Sequence, residues 1–154
     1  AIKMITKELF ENHPGMFECA QLEEKLLTQI NNPNIIKLLE VVHEPEGLCM
    51  IYEHCSNGTL EDKIRDGRIP GDECLEILFQ LMNAFEILQE YSVVHRDVKT
   101  ENILFQENIC KLADFGFCQK LNSDRKISGF AGTLHYMAPE IAFQVEEYDD
   151  KCDI

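Results

Sequence analysis

Positive charge is scarce in this chain: 14 lysines and arginines stand against 28 aspartates and glutamates, a net charge of -14. So acidic a molecule does not cling to nucleic acid or an anionic membrane over its general surface, and any anionic ligand must be met by a local group of cations. Long apolar runs are lacking too. The most apolar stretch, LEILFQLMNAFEIL at 75–88, is broken by Glu76, Gln80, Asn83 and Glu86, so it does not read as a bilayer span, and no signal peptide leads the chain. These absences predict a soluble, cytoplasmic protein with neither nucleic acid nor membrane as partner. The seven cysteines include no C-x-x-C pair and are not joined by clustered histidines. They read as ordinary thiols in a reducing compartment rather than as zinc ligands or a disulfide framework. Repeats and low-complexity segments are missing as well. What is present is ordinary: 154 residues, 45% of them hydrophobic, enough for one domain or two small lobes with a core.

The order of elements then carries the argument. AIKMI at the start reads as a strand holding one lysine, Lys3. After the breaker Pro14-Gly15, residues 16–31 have helical periodicity; NIIKLLEVV and GLCMIYE read as two strands joined by a turn at Pro45-Glu46-Gly47. Thr59 with Asp62 three residues on resembles a capping box for a short helix ending near Gly67. Asp72 is expected to cap a long helix running to about Tyr91, with polar residues 76, 80, 83 and 86 on one side. Two short strands, NILF and ICKLA, follow around Gln106-Glu107-Asn108, and then a long polar segment to Pro139. The pattern predicts an α+β chain, mainly stranded first and mainly helical later, with a hinge near 53–59. Clefts between such parts favour ligands.

Three groups of residues suggest chemistry. In the helix at 16–31, Met16, Cys19, Ala20, Leu27 and Ile30 form one apolar face with Glu23 in its middle. A carboxylate there is unfavourable by several kcal/mol unless a cation meets it, and Lys3 is the obvious partner. Glu24 instead shares a face with Thr28 and Asn31, which suits water. In VHRDVKTENIL, Asp97, Lys99 and Asn102 crowd a loop between a helix and a strand. A base, a cation and a neutral oxygen ligand converging there would suit transfer of a negatively charged group. In KLADFGF, Asp114 directly follows a strand, the natural place for a magnesium ligand facing a cleft.

Taken in order, AIK at 1–3, Glu23, HRDVKTEN at 95–102, DFG at 114–116 and APE at 138–140 resemble the signature set of the eukaryotic protein kinases. Each motif is weak alone; the ordered set is specific. The resemblance covers the whole chain but only the middle of that family's domain, without its Gly-rich loop and later helices. It implies a two-lobed kinase-like fold truncated at both ends, with 1–54 as part of the first lobe and 55–154 as hinge and part of the second. It further implies ATP and Mg2+ as cofactors, a protein substrate with a serine or threonine acceptor, and an upstream kinase as a possible regulator. By similarity, Lys3 would hold the ATP phosphates with Glu23 orienting it, Asp97 would be the catalytic base, and Lys99 would neutralise the moving phosphoryl group. Asn102 and Asp114 would hold magnesium. Glu53 and Cys55 would pair with the adenine edge, Ala1 and Leu104 would sandwich its ring, and Tyr52 would guard the back of the pocket. His95, Phe115, Leu27 and Leu38 would stack in an internal column, and Asp153 would brace the catalytic loop.

Lys99 together with Gly132-Thr133 resembles the serine/threonine-directed branch rather than the tyrosine-directed one. Arg96 resembles the arginine of members controlled by phosphorylation, whose guanidinium receives the phosphate. Here the pattern departs, because the usual acceptor position, three before Gly132, is Gly129; Ser128 is adjacent and Ser123 lies further back. Val98 in place of the commoner leucine is a mild apolar change. The resemblance leaves a second reading, a catalytically silent kinase-like scaffold or interaction module, against which the intact Lys3, Asp97, Asn102 and Asp114 argue. Without the Gly-rich cover and the later helices, the isolated chain is expected to have little or no transferase activity.

Overall fold

The computed structural model describes residues 1–12, 14–67 and 69–154. The first part is built on a three-stranded antiparallel sheet of β1 (Ile2–Thr6), β2 (Leu38–Glu44) and β3 (Gly47–Tyr52), in the order β1-β3-β2. β3 alternates strictly: Leu48, Met50 and Tyr52 are buried and the residues between them less so, the period of a strand with one covered face. That covered face meets α2 (Pro14–Gln29), which turns Ala20, Glu23, Leu26 and Leu27 inward. Pro14 was expected as a breaker. It opens the helix instead, where its fixed φ and missing N–H cost nothing. A short helix the sequence pattern did not reveal, α1 (Lys7–Asn12), precedes it. Met16 stands exposed rather than on the inner face.

Residues 53–58 connect this sheet to α3 (Leu60–Asp66). Thr59 caps α3 reciprocally: its hydroxyl accepts from the Asp62 N–H, and the Asp62 carboxylate accepts from the Thr59 N–H. α4 (Gly71–Glu90) turns Ile77, Leu81, Ala84 and Leu88 inward at helical spacing. Asp72 is not its cap. The helix starts two residues early, behind Pro70, so Asp72 lies in the first turn, where its charge favours the helix dipole without a capping bond. The opposite side of α4 carries Leu75, Leu78, Phe79 and Met82, all more than half exposed. No helix among the described residues is long and apolar enough to cross a membrane.

Beyond α4 lie β4 (Val93–Val94), β5 (Ile103–Gln106), β6 (Ile109–Leu112), β7 (Gln119–Lys120) and α5 (Pro139–Ala142). β5 and β6 form a hairpin, and β4 pairs with β7, a pairing with no signal in the sequence pattern. The largest apolar cluster runs through both parts, from Leu27, Leu38 and Met50 to Ala84, Leu88, Val93 and Phe115.

The two parts are also joined by polar contacts. Gln80 and Asn83, on the polar side of α4, face Asn34: the Asn34 amide donates to Gln80 Oε1 at 2.9 Å and to the Cys110 carbonyl at 3.0 Å, and Asn83 donates to Asn34 Oδ1 at 3.0 Å. Asn34 is buried, and these bonds are what make its burial tolerable. Backbone bonds from Ile36 to Leu112 and from Leu112 to Asn34 run beside them. Lys111, also buried, bridges Glu53 and the Pro33 carbonyl, each at 3.0 Å.

Candidate active site

The centre of the site is the Lys3 amine. It donates to Glu23 Oε2 at 2.9 Å and to Asp114 Oδ1 at 3.1 Å, drawing together β1, α2 and the segment after β6. Glu23 is completely buried, which a carboxylate in an apolar helical face tolerates only because a cation is supplied. Its other oxygen, Oε1, accepts from the Tyr52 hydroxyl at 2.7 Å. Burial alone pushes the Lys3 amine down, but the charges of Glu23 and Asp114 outweigh it and hold the amine above its ordinary range, so it remains a cation. The Glu24 carboxylate, by contrast, meets His43, itself exposed, at 3.3 Å.

Beside this cluster lies a cavity of about 380 Å³ lined by Ala1, Lys3, Glu23, Tyr52, Glu53, Cys55, Leu104 and Asp114, among others. All five candidate nucleotide contacts, Ala1, Lys3, Glu53, Cys55 and Leu104, are in that lining. Ala1 and Tyr52 exchange backbone hydrogen bonds of 2.8 Å in both directions, which extends the β1-β3 ladder to the cavity mouth. Among the described residues no hydrogen bond engages the Cys55 N–H or the Glu53 carbonyl. Burial, with the Glu53 charge, pushes the Cys55 thiol up, away from the thiolate a redox role would use.

Asp97 lies in the loop between β4 and β5 and opens on a second cavity of about 340 Å³ with Arg96, Thr133, Tyr136 and Glu140 in its wall. Both oxygens of its carboxylate have partners: Thr133 donates to Oδ1 at 2.7 Å, Lys99 lies 2.9 Å from Oδ2, and Asn102 donates to Oδ2 at 3.0 Å. Lys99 also donates to Thr133 Oγ1 at 2.8 Å, closing a three-membered ring of acid, amine and hydroxyl. Burial pushes the Asp97 carboxyl up, but the bonds from Lys99 and Thr133 and the Lys99 charge outweigh it and hold it below the usual carboxylate range. Thr133 entered the sequence reading only as a mark of substrate class. Its place in this ring had no signal beyond lying next to Gly132.

The loop is held from beneath. Asp153 accepts from the backbone N–H of His95 at 2.6 Å and of Arg96 at 2.7 Å. The Asp97 N–H donates to His95 Nδ1, so Nε2 carries the proton and donates to the Ala113 carbonyl at 3.1 Å. Burial pushes the His95 imidazole down, which agrees with a neutral ring. His95 and Phe115 meet edge to face at 4.7 Å between centroids, and Leu27 and Leu38 are buried in the same region. Arg96 and Asp114 both hold left-handed backbone, φ 67° and 59°, conformations unfavourable for such residues that persist only where surroundings impose them.

Asn102 and Asp114 are brought close through Ala113, whose N–H donates to the Asn102 carbonyl at 2.9 Å. The Asn102 amide nitrogen is spent on Asp97, and Oδ1 accepts no hydrogen bond among the described residues. Asp114 is half exposed and uses one oxygen on Lys3. A neutral amide oxygen and a carboxylate are hard donors of the kind magnesium takes, so the residues present fit that ion. Arg96 donates to the Phe117 carbonyl at 2.7 Å and reaches the Tyr148 hydroxyl at 3.4 Å; Tyr148 in turn donates to the Gly129 carbonyl at 2.7 Å. Ser123 and Ser128 are exposed.

The protein kinase domain family matches residues 1–154, the whole chain. The chain belongs to the protein kinases. Calcium-dependent protein kinase 5 of Plasmodium berghei is 35% identical over 159 residues, covering 100% of this chain and 27% of that protein. Serine/threonine-protein kinase ATG1a of Arabidopsis thaliana is 33% identical over 159 residues, covering 100% of this chain and 25% of its own length. Serine/threonine-protein kinase SIK2 of Gallus gallus is 34% identical over 151 residues, 97% of this chain and 18% of its own. The chain therefore spans about a quarter or less of the length of these relatives. In kinase terms, the mixed helix and sheet architecture is a truncated kinase-like fold.

Proposed function

We propose that the protein transfers the γ-phosphoryl group of ATP to serine or threonine hydroxyls of other proteins. The observation that carries this reading is the Lys3 amine held between Glu23 and Asp114 at the edge of the 380 Å³ cavity. Magnesium-bound ATP supplies the activated phosphoryl group and its leaving group; the protein's task is positioning and charge. Lys3 holds the phosphates, kept in place by Glu23. Asn102 and Asp114 hold the metal, and the Cys55 N–H and Glu53 carbonyl take the adenine edge between Ala1 and Leu104.

Asp97 orients the incoming hydroxyl and takes its proton as the hydroxyl oxygen bonds to phosphorus and ADP leaves. A carboxylate held below its usual range is a poor base toward a free alcohol. It suits a loose transition state, in which orientation comes first and the proton moves late. Lys99, already a neighbour of Asp97, neutralises charge on the moving group. Serine/threonine specificity is supported by the Lys99–Thr133 bond and by the similarity to serine/threonine-protein kinases ATG1a and SIK2.

The test is transfer of labelled γ-phosphate to a generic basic protein substrate by the full-length protein. Asp97→Asn should abolish turnover while ATP affinity stays within a few-fold; loss of affinity instead would show that Asp97 has another role. For the isolated 154-residue chain we propose little or no transfer, because the outward apolar face of α4 and the cleft both lack cover among the described residues. A robust rate from it would refute that. A full-length protein that binds ATP but transfers nothing would favour the silent scaffold.

A further inference from the structure

Lys3, Glu23, Asp97, Lys99, Asn102 and Asp114 each have a part in the proposed transfer; the Tyr52 hydroxyl has none. We propose that Tyr52 is a positioning residue: it fastens Glu23, and through it α2, to the sheet, so that Lys3 stays aimed into the nucleotide cavity. This rests on the kinase reading for its consequence but not for its geometry.

Glu23 is wholly buried, and each of its oxygens has one side-chain donor: Oε2 has Lys3 and Oε1 has Tyr52. The two donors come from neighbouring strands, β1 and β3, paired in register from Ile2 opposite Ile51 to Thr6 opposite Gly47. α2 is thus tied to the sheet at two points. The two ties differ in kind. Lys3 divides its amine between Glu23 and Asp114, and a phosphate in the cavity would compete for it, whereas among the described residues Tyr52 has no further oxygen partner and only the Met50 sulfur at 3.4 Å besides. When Lys3 is drawn toward a ligand, the Tyr52 bond is the one that keeps Glu23 inward. Burial and the Glu23 charge push the hydroxyl far above its ordinary range, so it stays a donor at any working pH.

A phenylalanine at this position would fill the same space and leave Oε1 buried with no donor. A carboxylate in that condition gains by turning toward water, and α2 must move to let it. The same bond holds the Tyr52 ring in place as the back wall of the cavity, since the ring cannot swing aside without breaking it.

The test compares Tyr52→Phe with the unchanged full-length protein in steady-state transfer of labelled γ-phosphate at varied ATP, with melting temperature measured alongside. The expected result is a five- to fiftyfold loss of kcat with KM for ATP changed less than threefold, at temperatures well below melting. In a Glu23→Ala background the same substitution should have almost no further effect, because Tyr52 acts through Glu23. Unchanged kcat, or an undiminished loss in the Glu23→Ala background, overturns the proposal. If the unchanged protein transfers no phosphate, the kinase reading fails, and the tether is decided by hydrogen exchange. Amides of α2 should then exchange about tenfold faster in Tyr52→Phe, and unchanged exchange overturns the tether by itself.

Discussion

Replacing Gly132 by alanine should disable the site without touching any residue that meets substrate. Gly132 has φ +106°, and a Cβ built on it lies 2.3 Å from the Arg96 carbonyl oxygen. Left-handed backbone costs an alanine about 1–2 kcal/mol. The contact adds more, because carbon and oxygen must separate by roughly another 1 Å to reach an ordinary van der Waals distance. Either side can yield, and both routes damage the same place. If the loop between β4 and β5 moves, the Arg96–Asp97 peptide carries the Asp97 carboxylate with it. If residue 132 moves, Thr133 leaves Asp97 and Lys99, to which it is bonded at 2.7 and 2.8 Å. A misplacement of about 1 Å at the reacting centre costs on the order of 100-fold in rate, and about 2.7 kcal/mol of barrier.

Gly129→Ala is the matched comparison. Its φ is +101°, but the nearest atom to a new Cβ is the flexible Arg96 Nη1 at 3.9 Å, so only the backbone strain of about 1–2 kcal/mol applies. Phosphate transfer and thermal melting should be measured on both. Gly132→Ala with a rate within threefold of the original, or Gly129→Ala equally inactive at equal folded fraction, would refute the reasoning.

Asn34→Leu should destabilise the fold by about 2–3 kcal/mol in a denaturant titration, because Asn83 and the Cys110 carbonyl lose their buried partner. Asp153→Asn should cost about 1–2 kcal/mol by the same assay and lower the transfer rate, since His95 and Arg96 each donate to a different oxygen and the amide nitrogen that replaces one of them cannot accept. Thermal stability should fall as pH drops below roughly 6.5, where an unfolded histidine takes up a proton that buried His95 refuses. The sign follows from the depressed imidazole: its contribution is complete above the unfolded value and is lost as pH falls toward the folded one. Asp97, held low by Lys99 and Thr133, adds a second loss only below roughly pH 4. A melting temperature flat from pH 7 to 5 would contradict the His95 assignment.

The pairing of Lys3 with Glu23 was legible because a charge in the middle of an apolar helical face has few tolerable explanations. The hairpin of β5 and β6 was legible because its turn residues sit between two short apolar runs. Other features were not. Gln80 and Asn83 share the sequence look of a solvated face with Glu76 and Glu86, yet amides can be buried wherever partners complete their hydrogen bonds, and those partners, Asn34 and Cys110, lie far away in the chain. The Tyr52–Glu23 bond and the place of Thr133 are long-range in the same sense: periodicity reports which face a residue occupies, not what waits opposite. The start of α4 was misplaced because aspartate is the commoner cap, while the backbone here enters the helix at the residue after Pro70.

The amine at the centre of the cleft has a kinetic corollary. Its bond to Asp114 joins residues 111 positions apart, and its bond to Glu23 joins residues 20 apart. Closing so long a loop is entropically expensive, so such contacts form only after local helices and hairpins are already in place. During refolding, ellipticity should return before the proposed nucleotide site is assembled, as read by binding of a fluorescent nucleotide to the full-length protein.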